Sequence, residues 1–205
     1  MPPVHVQSAG AKPADLTPNG EYGIAKTLIS KEHQNLIAQL EQDVQYAFQN
    51  VAGNDQFWCR TLVRAVFSYF EAHSFVIRST AAKLLKPDQG NLEYVAKMAL
   101  LADTAYQPGK TGRLEDAGEP KTPFINQLAF TLRAYAEVSG MAASEIDGFF
   151  GDNAFNQLQR AKRVRDRLTH PKQLSDVLVT SSDMVDLTTC YNWLLRFISD
   201  VEKLS

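Results

Sequence analysis

An all-α fold is what this 205-residue sequence predicts, for three reasons. Apolar residues recur at alternating intervals of three and four along several long stretches. Gly or Pro closes most of those stretches, and Ser, Thr, Asp or Asn opens them. No alternating strand pattern longer than residues 177–179 competes, and there is no internal repeat. A hydrophobic fraction of 44%, a charged fraction of 21% and a net charge of −2 describe one ordinary globular domain rather than a protein that coats nucleic acid indiscriminately. No stretch approaches the roughly 18 apolar residues of a membrane span, and the start, Met-Pro-Pro-Val-His, has no apolar run of the secretory kind. The expectation is a cytoplasmic protein with no membrane contact. It has a flexible, disordered N-terminal segment over residues 1–30, then an antiparallel helical bundle over residues 31–205 with one long loop.

Ser30 is placed to cap a first helix, with Gln34 near the reciprocal capping position, and Ile37, Leu40, Val44, Ala47 and Val51 form its apolar stripe up to Gly53. Asn54 or Asp55 opens a second helix that runs to about Lys86, before Pro87. It is apolar on most sides, from Leu62 and Val63 through Phe67, Tyr69 and Phe70 to Phe75, Val76 and Ile77, as a central helix with several neighbours must be. A shorter helix is expected over residues 92–102 and a polar loop over residues 107–123, rich in Gly and Pro. Within that loop, Gly109-Lys110-Thr111 lacks the earlier glycine and the preceding strand of a phosphate-binding loop. Helices are then predicted over residues 124–138, as a short piece after Ser144, from about Asp152 toward His170, and from Ser181 or Ser182 to the end.

Arg64, Glu71 and Arg78 fall at intervals of seven on the otherwise apolar second helix, with Arg60 one turn before them. They are either an ion-pair ladder that satisfies itself or a support for a site on a neighbouring element. His73 points away from that line and reads as structural. Cys59 and Cys190 sit inside apolar helical patterns and read as buried thiols. No histidine pair has metal-ligand spacing, no serine sits in a nucleophile elbow, and no cysteine stands beside a histidine, so neither a metal nor a cofactor is expected.

Chemistry concentrates in the run Arg163-Val164-Arg165-Asp166-Arg167-Leu168-Thr169-His170-Pro171. From residue 160 to 172 the basic side chains are Arg160, Lys162, Arg163, Arg165, Arg167 and Lys172, opposed only by Asp166. A guanidinium offers a fixed fork of donors to phosphate oxygens, and an imidazole exchanges protons near neutrality. Together they can assist phosphoryl transfer; basic residues in a last helical turn also complement its negative end without further purpose. Pro171 biases His170 out of the helical region, which places the histidine at or just past the helix end. At about 100° per residue, Arg163 shares a face with His170 and Arg165 lies roughly 140° away.

An all-α domain whose penultimate helix ends in Arg165-Asp166-Arg167-Leu168-Thr169-His170 and is followed by a final amphipathic helix resembles the HEPN superfamily. The likeness covers residues 31–205 in architecture and six residues in motif. It implies a metal-independent endoribonuclease in which the sites of two protomers face each other across a homodimer. Cleavage would leave a 2′,3′-cyclic phosphate. His170 would act as acid or base, Arg165 would stabilise the phosphate, and Asp166 would orient one of them. Arg163, Arg167 and Lys172 would contact the RNA backbone, and Glu71, Arg64 and Arg78 would support the site. Between the two arginines, the helix-face argument favours Arg163 and the family pattern favours Arg165, which we take as the catalytic one. The resemblance implies a toxin or antiviral effector with an antitoxin or other regulatory partner. Its alternative is a catalytically inactive module that binds protein or nucleic acid. One departure is Lys172, where some toxins of that family carry a tyrosine that the antitoxin modifies.

Overall fold

A computed structural model of the chain describes residues 29–51, 55–85 and 123–204, and the backbone of 106–108 and 114–116. Among the described residues there are six α-helices: α1 Lys31–Asn50, α2 Gln56–Leu84, α3 Phe124–Val138, α4 Ala143–Gly151, α5 Asn153–Thr169 and α6 Ser181–Glu202. A short 3₁₀ turn, Leu174–Val177, lies between α5 and α6. The all-α bundle is as predicted. The expected 92–102 helix, most of the N-terminal segment and Gly109-Lys110-Thr111 lie outside the described residues.

Four of the six described helix starts follow side-chain capping chemistry. Ser30 Oγ accepts from the His33 amide at 3.2 Å, Asp55 from Phe57 at 2.8 Å, Asp152 from Ala154 at 3.1 Å and Thr180 from Asp183 at 3.1 Å. Asp183 accepts in return from the Thr180 amide at 2.8 Å, which closes a capping box. Helix α3 ends at Gly140, whose φ of +90° only glycine adopts without strain. That turn lets the Met141 amide reach back to the Ala136 carbonyl at 2.9 Å.

Helix α2 touches α1, α3, α5 and α6 and is therefore the central rod. Leu62, Val63, Val66, Tyr69, Phe70 and Val76 on it are all buried. Phe75 departs from expectation: its ring is exposed and meets His33 edge-on at 5.4 Å. The stripe of α1 closes on α2 through Val44 and Ala47, and α6 buries Leu187, Tyr191, Leu194, Ile198 and Val201. At its middle the Trp193 indole N–H donates to the Phe149 carbonyl at 3.0 Å, with the rings of Phe150, Phe155 and Phe197 about it at 6.0, 5.8 and 6.2 Å. Trp58, half-buried near the start of α2, packs edge-on against Tyr46 and Phe57.

The 107–123 stretch, expected as loop, holds part of a small ladder. Strand β1 (Tyr106–Pro108) pairs antiparallel with β2 (Leu114–Asp116), Tyr106 opposite Asp116 and Pro108 opposite Leu114. Strands of three residues are too short to show a period of two in sequence.

Candidate functional site

Helix α5 buries Ala154, Leu158, Ala161, Val164 and Leu168, a stripe of three-four spacing that turns its basic residues outward or sideways. His170 caps its end with φ −128° and ψ 60°, outside the helical region as Pro171 requires, while its amide still donates to the Asp166 carbonyl at 3.0 Å. The imidazole is exposed and makes no hydrogen bond among the described residues.

Arg165 is a half-buried guanidinium, 35% exposed, that donates to Glu71 Oε1 on α2 at 2.6 Å and lies 3.5 Å from Asp166 Oδ1. The charged line on α2 is thus no self-contained ladder. Its middle member pairs with the arginine that the family pattern singles out. Arg64 is exposed and makes no ion pair among the described residues, and Arg78 is half-buried seven residues beyond Glu71. Asp166 accepts from Lys162 Nζ at 2.5 Å on the same helix, so its carboxylate is directed to a lysine and an arginine rather than to the His170 ring.

Arg163 is exposed with no ion-pair partner among the described residues, and Lys172 is exposed with its own amide donating to Asp176 Oδ2 at 2.8 Å. That bond, first among several, holds the Asp176 carboxyl below its ordinary range. Arg167 behaves differently from the RNA contact expected of it. Its Nη1 donates to the carbonyls of Asp176 at 2.9 Å, Leu178, and Ser175 at the long limit of 3.5 Å, and its Nη2 pairs with Asp183 at 2.6 Å. Those donors are spent on fixing the chain between α5 and α6. Its half-buried position allows little else.

Two long-range contacts had no signature in the sequence. The Gln56 side chain at the start of α2 donates to the Val179 carbonyl at 2.9 Å and accepts from the Val179 amide at 2.8 Å, as a neighbouring strand would. Arg160 forms a forked pair with Asp186 on α6, both bonds 2.8 Å. The first holds the post-His170 segment against α2 and the second fixes α5 against α6. Exposed Leu174, Leu178 and Val185 lie on or beside the same segment.

The far end of the bundle holds a different arrangement. A cavity of about 300 Å³ opens where the first half of α1, the second half of α2 and the ends of α3 and α6 meet. It is lined by aliphatic side chains with Gln34, Asn35, Glu41, His73, Thr80, Tyr135 and Glu202 among them. His73, read from sequence as structural, is buried, and burial drives its value down to about 3, so the ring is neutral. Its Nε2 has no hydrogen-bond partner among the described residues. Among those residues no helix is long and apolar enough to cross a membrane. Compared with family models, with curated proteins and with solved structures, the chain matches none.

Proposed function

We propose that the chain is a metal-independent endoribonuclease of HEPN type that works as a homodimer. The observation that carries the reading is the His170 imidazole, exposed and unpartnered among the described residues at the end of α5, one turn and a half beyond a guanidinium held in place from the central helix by Glu71. One imidazole takes the proton from a ribose 2′-hydroxyl as its oxygen attacks the adjacent phosphorus. The P–O5′ bond breaks, and a second imidazole gives its proton to the leaving oxygen. The products are a 2′,3′-cyclic phosphate and a 5′-hydroxyl. Arg165 stabilises charge on the non-bridging oxygens, while Arg163 and Lys172, both exposed, hold the backbone on either side. The paired Asp166 serves to fix Lys162 and Arg165.

This mechanism uses two imidazoles, and among the described residues only His170 lies at this end of the protein; His33 and His73 lie elsewhere. A second copy supplies the other. Exposed Leu174, Leu178 and Val185 next to the motif give such a copy an apolar surface to cover. A substrate phosphate has to compete with Glu71 for Arg165, and this favours a second reading. If Glu71 keeps Arg165, the same end is a binding module whose free cations are Arg163 and Lys172.

Purified protein incubated with RNA in EDTA decides between them. Cleavage to cyclic-phosphate ends that His170→Ala and Arg165→Ala each lower at least 100-fold, with both variants still dimeric by sedimentation, supports the nuclease. Cleavage that vanishes in EDTA, or that survives His170→Ala, refutes it.

A further inference from the structure

The cavity at the far end carries chemistry that the basic helix end does not use. On α2, Thr80 at the cavity is roughly 30 Å by helix rise from Arg60, whose guanidinium bonds the Val177 carbonyl beside the motif. His73 is only two residues from the Glu71 that holds Arg165 but faces roughly 160° away from it round the helix, the one buried and the other exposed. The two places are therefore separate, and a ligand in the cavity neither requires nor excludes ribonuclease activity at the other end.

The walls are mostly aliphatic, drawn from Ile37, Val76, Ile77 and Ile198, and the volume sits at the lower end of small-molecule pockets, about 300–1,000 Å³. The polar groups are mixed in hydrogen bonding but carry no positive charge: the amides of Gln34 and Asn35 and the Tyr135 phenol can donate or accept, and the remaining groups lean toward acceptors. The Thr80 hydroxyl donates its proton to the Val76 carbonyl at 2.9 Å, which leaves its oxygen an acceptor. Glu41 and Glu202 contribute carboxylates, and among the described residues no Lys or Arg lines the space. Burial lifts the Glu41 carboxyl above its ordinary range, and among the described residues it has no ion-pair partner. The His73 ring is 8% exposed and lies 4.3 Å from the Tyr69 ring, centroid to centroid, which restricts its rotation. Its Nε2 is left without a partner among the described residues, in a protein interior where unpaired nitrogens are rare.

A pocket that carries two carboxylates and, among the described residues, no cation repels phosphates and carboxylates and attracts a positively charged group with several N–H donors. A neutral imidazole accepts at Nε2 when Nδ1 carries the proton. We propose that this cavity binds a small primary ammonium compound with an alkyl or arylalkyl body, the ammonium shared between Glu41 and His73 Nε2 and the apolar part lying along α2. Glu202 adds favourable charge at the rim, and the Tyr135 phenol, pushed up to about 12 by burial and then by Glu202, stays protonated beside it.

The test uses the full chain and three probes of one chain length: hexylammonium, hexanoate and hexanol. Hexylammonium is expected to raise the melting temperature saturably and to shift the His73 ring nitrogens in ¹⁵N NMR. Hexanoate should do neither, and hexanol should bind at least tenfold more weakly. Glu41→Gln, which keeps shape and hydrogen bonding, should weaken hexylammonium at least tenfold while far-UV circular dichroism stays unchanged. Hexanoate binding as well as hexylammonium, an affinity unmoved by Glu41→Gln, or no saturable binding by alkyl- or phenylalkylammonium ions overturns the proposal. So does a ligand-free spectrum in which His73 Nε2 is already hydrogen-bonded to a residue of segment 1–28.

Discussion

His73 ties folding to pH because its ring is neutral in the core and ordinary when the chain unfolds. The folded value of about 3 lies below the usual 6.5, so the unfolded chain takes the proton first as pH falls. Its contribution is complete above about pH 6.5 and is lost progressively toward pH 3. Between pH 7 and pH 5 the loss is about 2 kcal/mol, measurable as a falling urea midpoint. His73→Phe should flatten that slope, and a slope that survives the substitution would remove His73 as its source. Asp152 acts in another window. Its carboxyl is lowered by the Ala154 amide and Arg196, so its share persists down to the ordinary carboxylate range and fades below it. Glu71 gives a second test at this scale. The Arg165 pair is part-exposed, so Glu71→Gln should cost under about 1 kcal/mol in stability. The RNA cleavage proposed for this site should nonetheless change several-fold, since the guanidinium gains freedom and loses its anchor; an unchanged rate would show that Arg165 needs no positioning. Sequence pattern pointed at Arg165, and helix-face arithmetic at Arg163. What neither could reveal is that Arg165 meets a carboxylate 94 positions away, because ion pairing between elements depends on how the elements pack.

At the scale of elements, the helix starts were legible because capping is local. Ser30, Asp55, Asp152 and a residue beside Ser181 all announce themselves within three positions of the amides they serve. The segment between α5 and α6 was not legible. A short 3₁₀ turn at Leu174–Val177 gives way to extended backbone at Leu178, and the shape of the segment depends on Arg167 and on Gln56, the latter 123 positions from Val179. Arg167 was expected on the RNA and is found folded into this segment. Arg167→Ala should therefore cost about 2 kcal/mol, the scale of hydrogen bonds from a charged donor. Proteolytic nicking should rise between residues 171 and 179 while α1 to α4 stay protected. Unaltered nicking would mean that the turn holds itself. Because His170 precedes this segment and α6 comes after it, loosening it should also lower any activity of the histidine without touching the ring.

The whole molecule is organised by α2, which faces all four of its helical neighbours and presents different chemistry at its two ends. Toward its start it braces the chain after His170; toward its finish it walls the acidic cavity. The central role was readable from apolar residues on nearly every side of the helix. The cavity was not, since it is a property of how α1, α2, α3 and α6 meet rather than of any one pattern. Leu158 on α5 is fully buried, and Leu158→Ala should lower global stability by about 3–4 kcal/mol. A loss below about 1 kcal/mol would mean that the α5 packing collapses around the gap.

The two tryptophans make such unfolding visible without a label. Trp193 lies in a dry ring of phenylalanines and should emit at short wavelength, beyond the reach of iodide, whereas half-buried Trp58 should emit further to the red and be quenched. In Trp58→Phe the remaining light reports only on the junction of α4, α5 and α6. In Trp193→Phe it reports only on the turn from α1 into α2. The protein thus carries one optical probe for its deepest packing and another for a junction at its surface. A red shift of the second that precedes the first would show that junction opening before the core does.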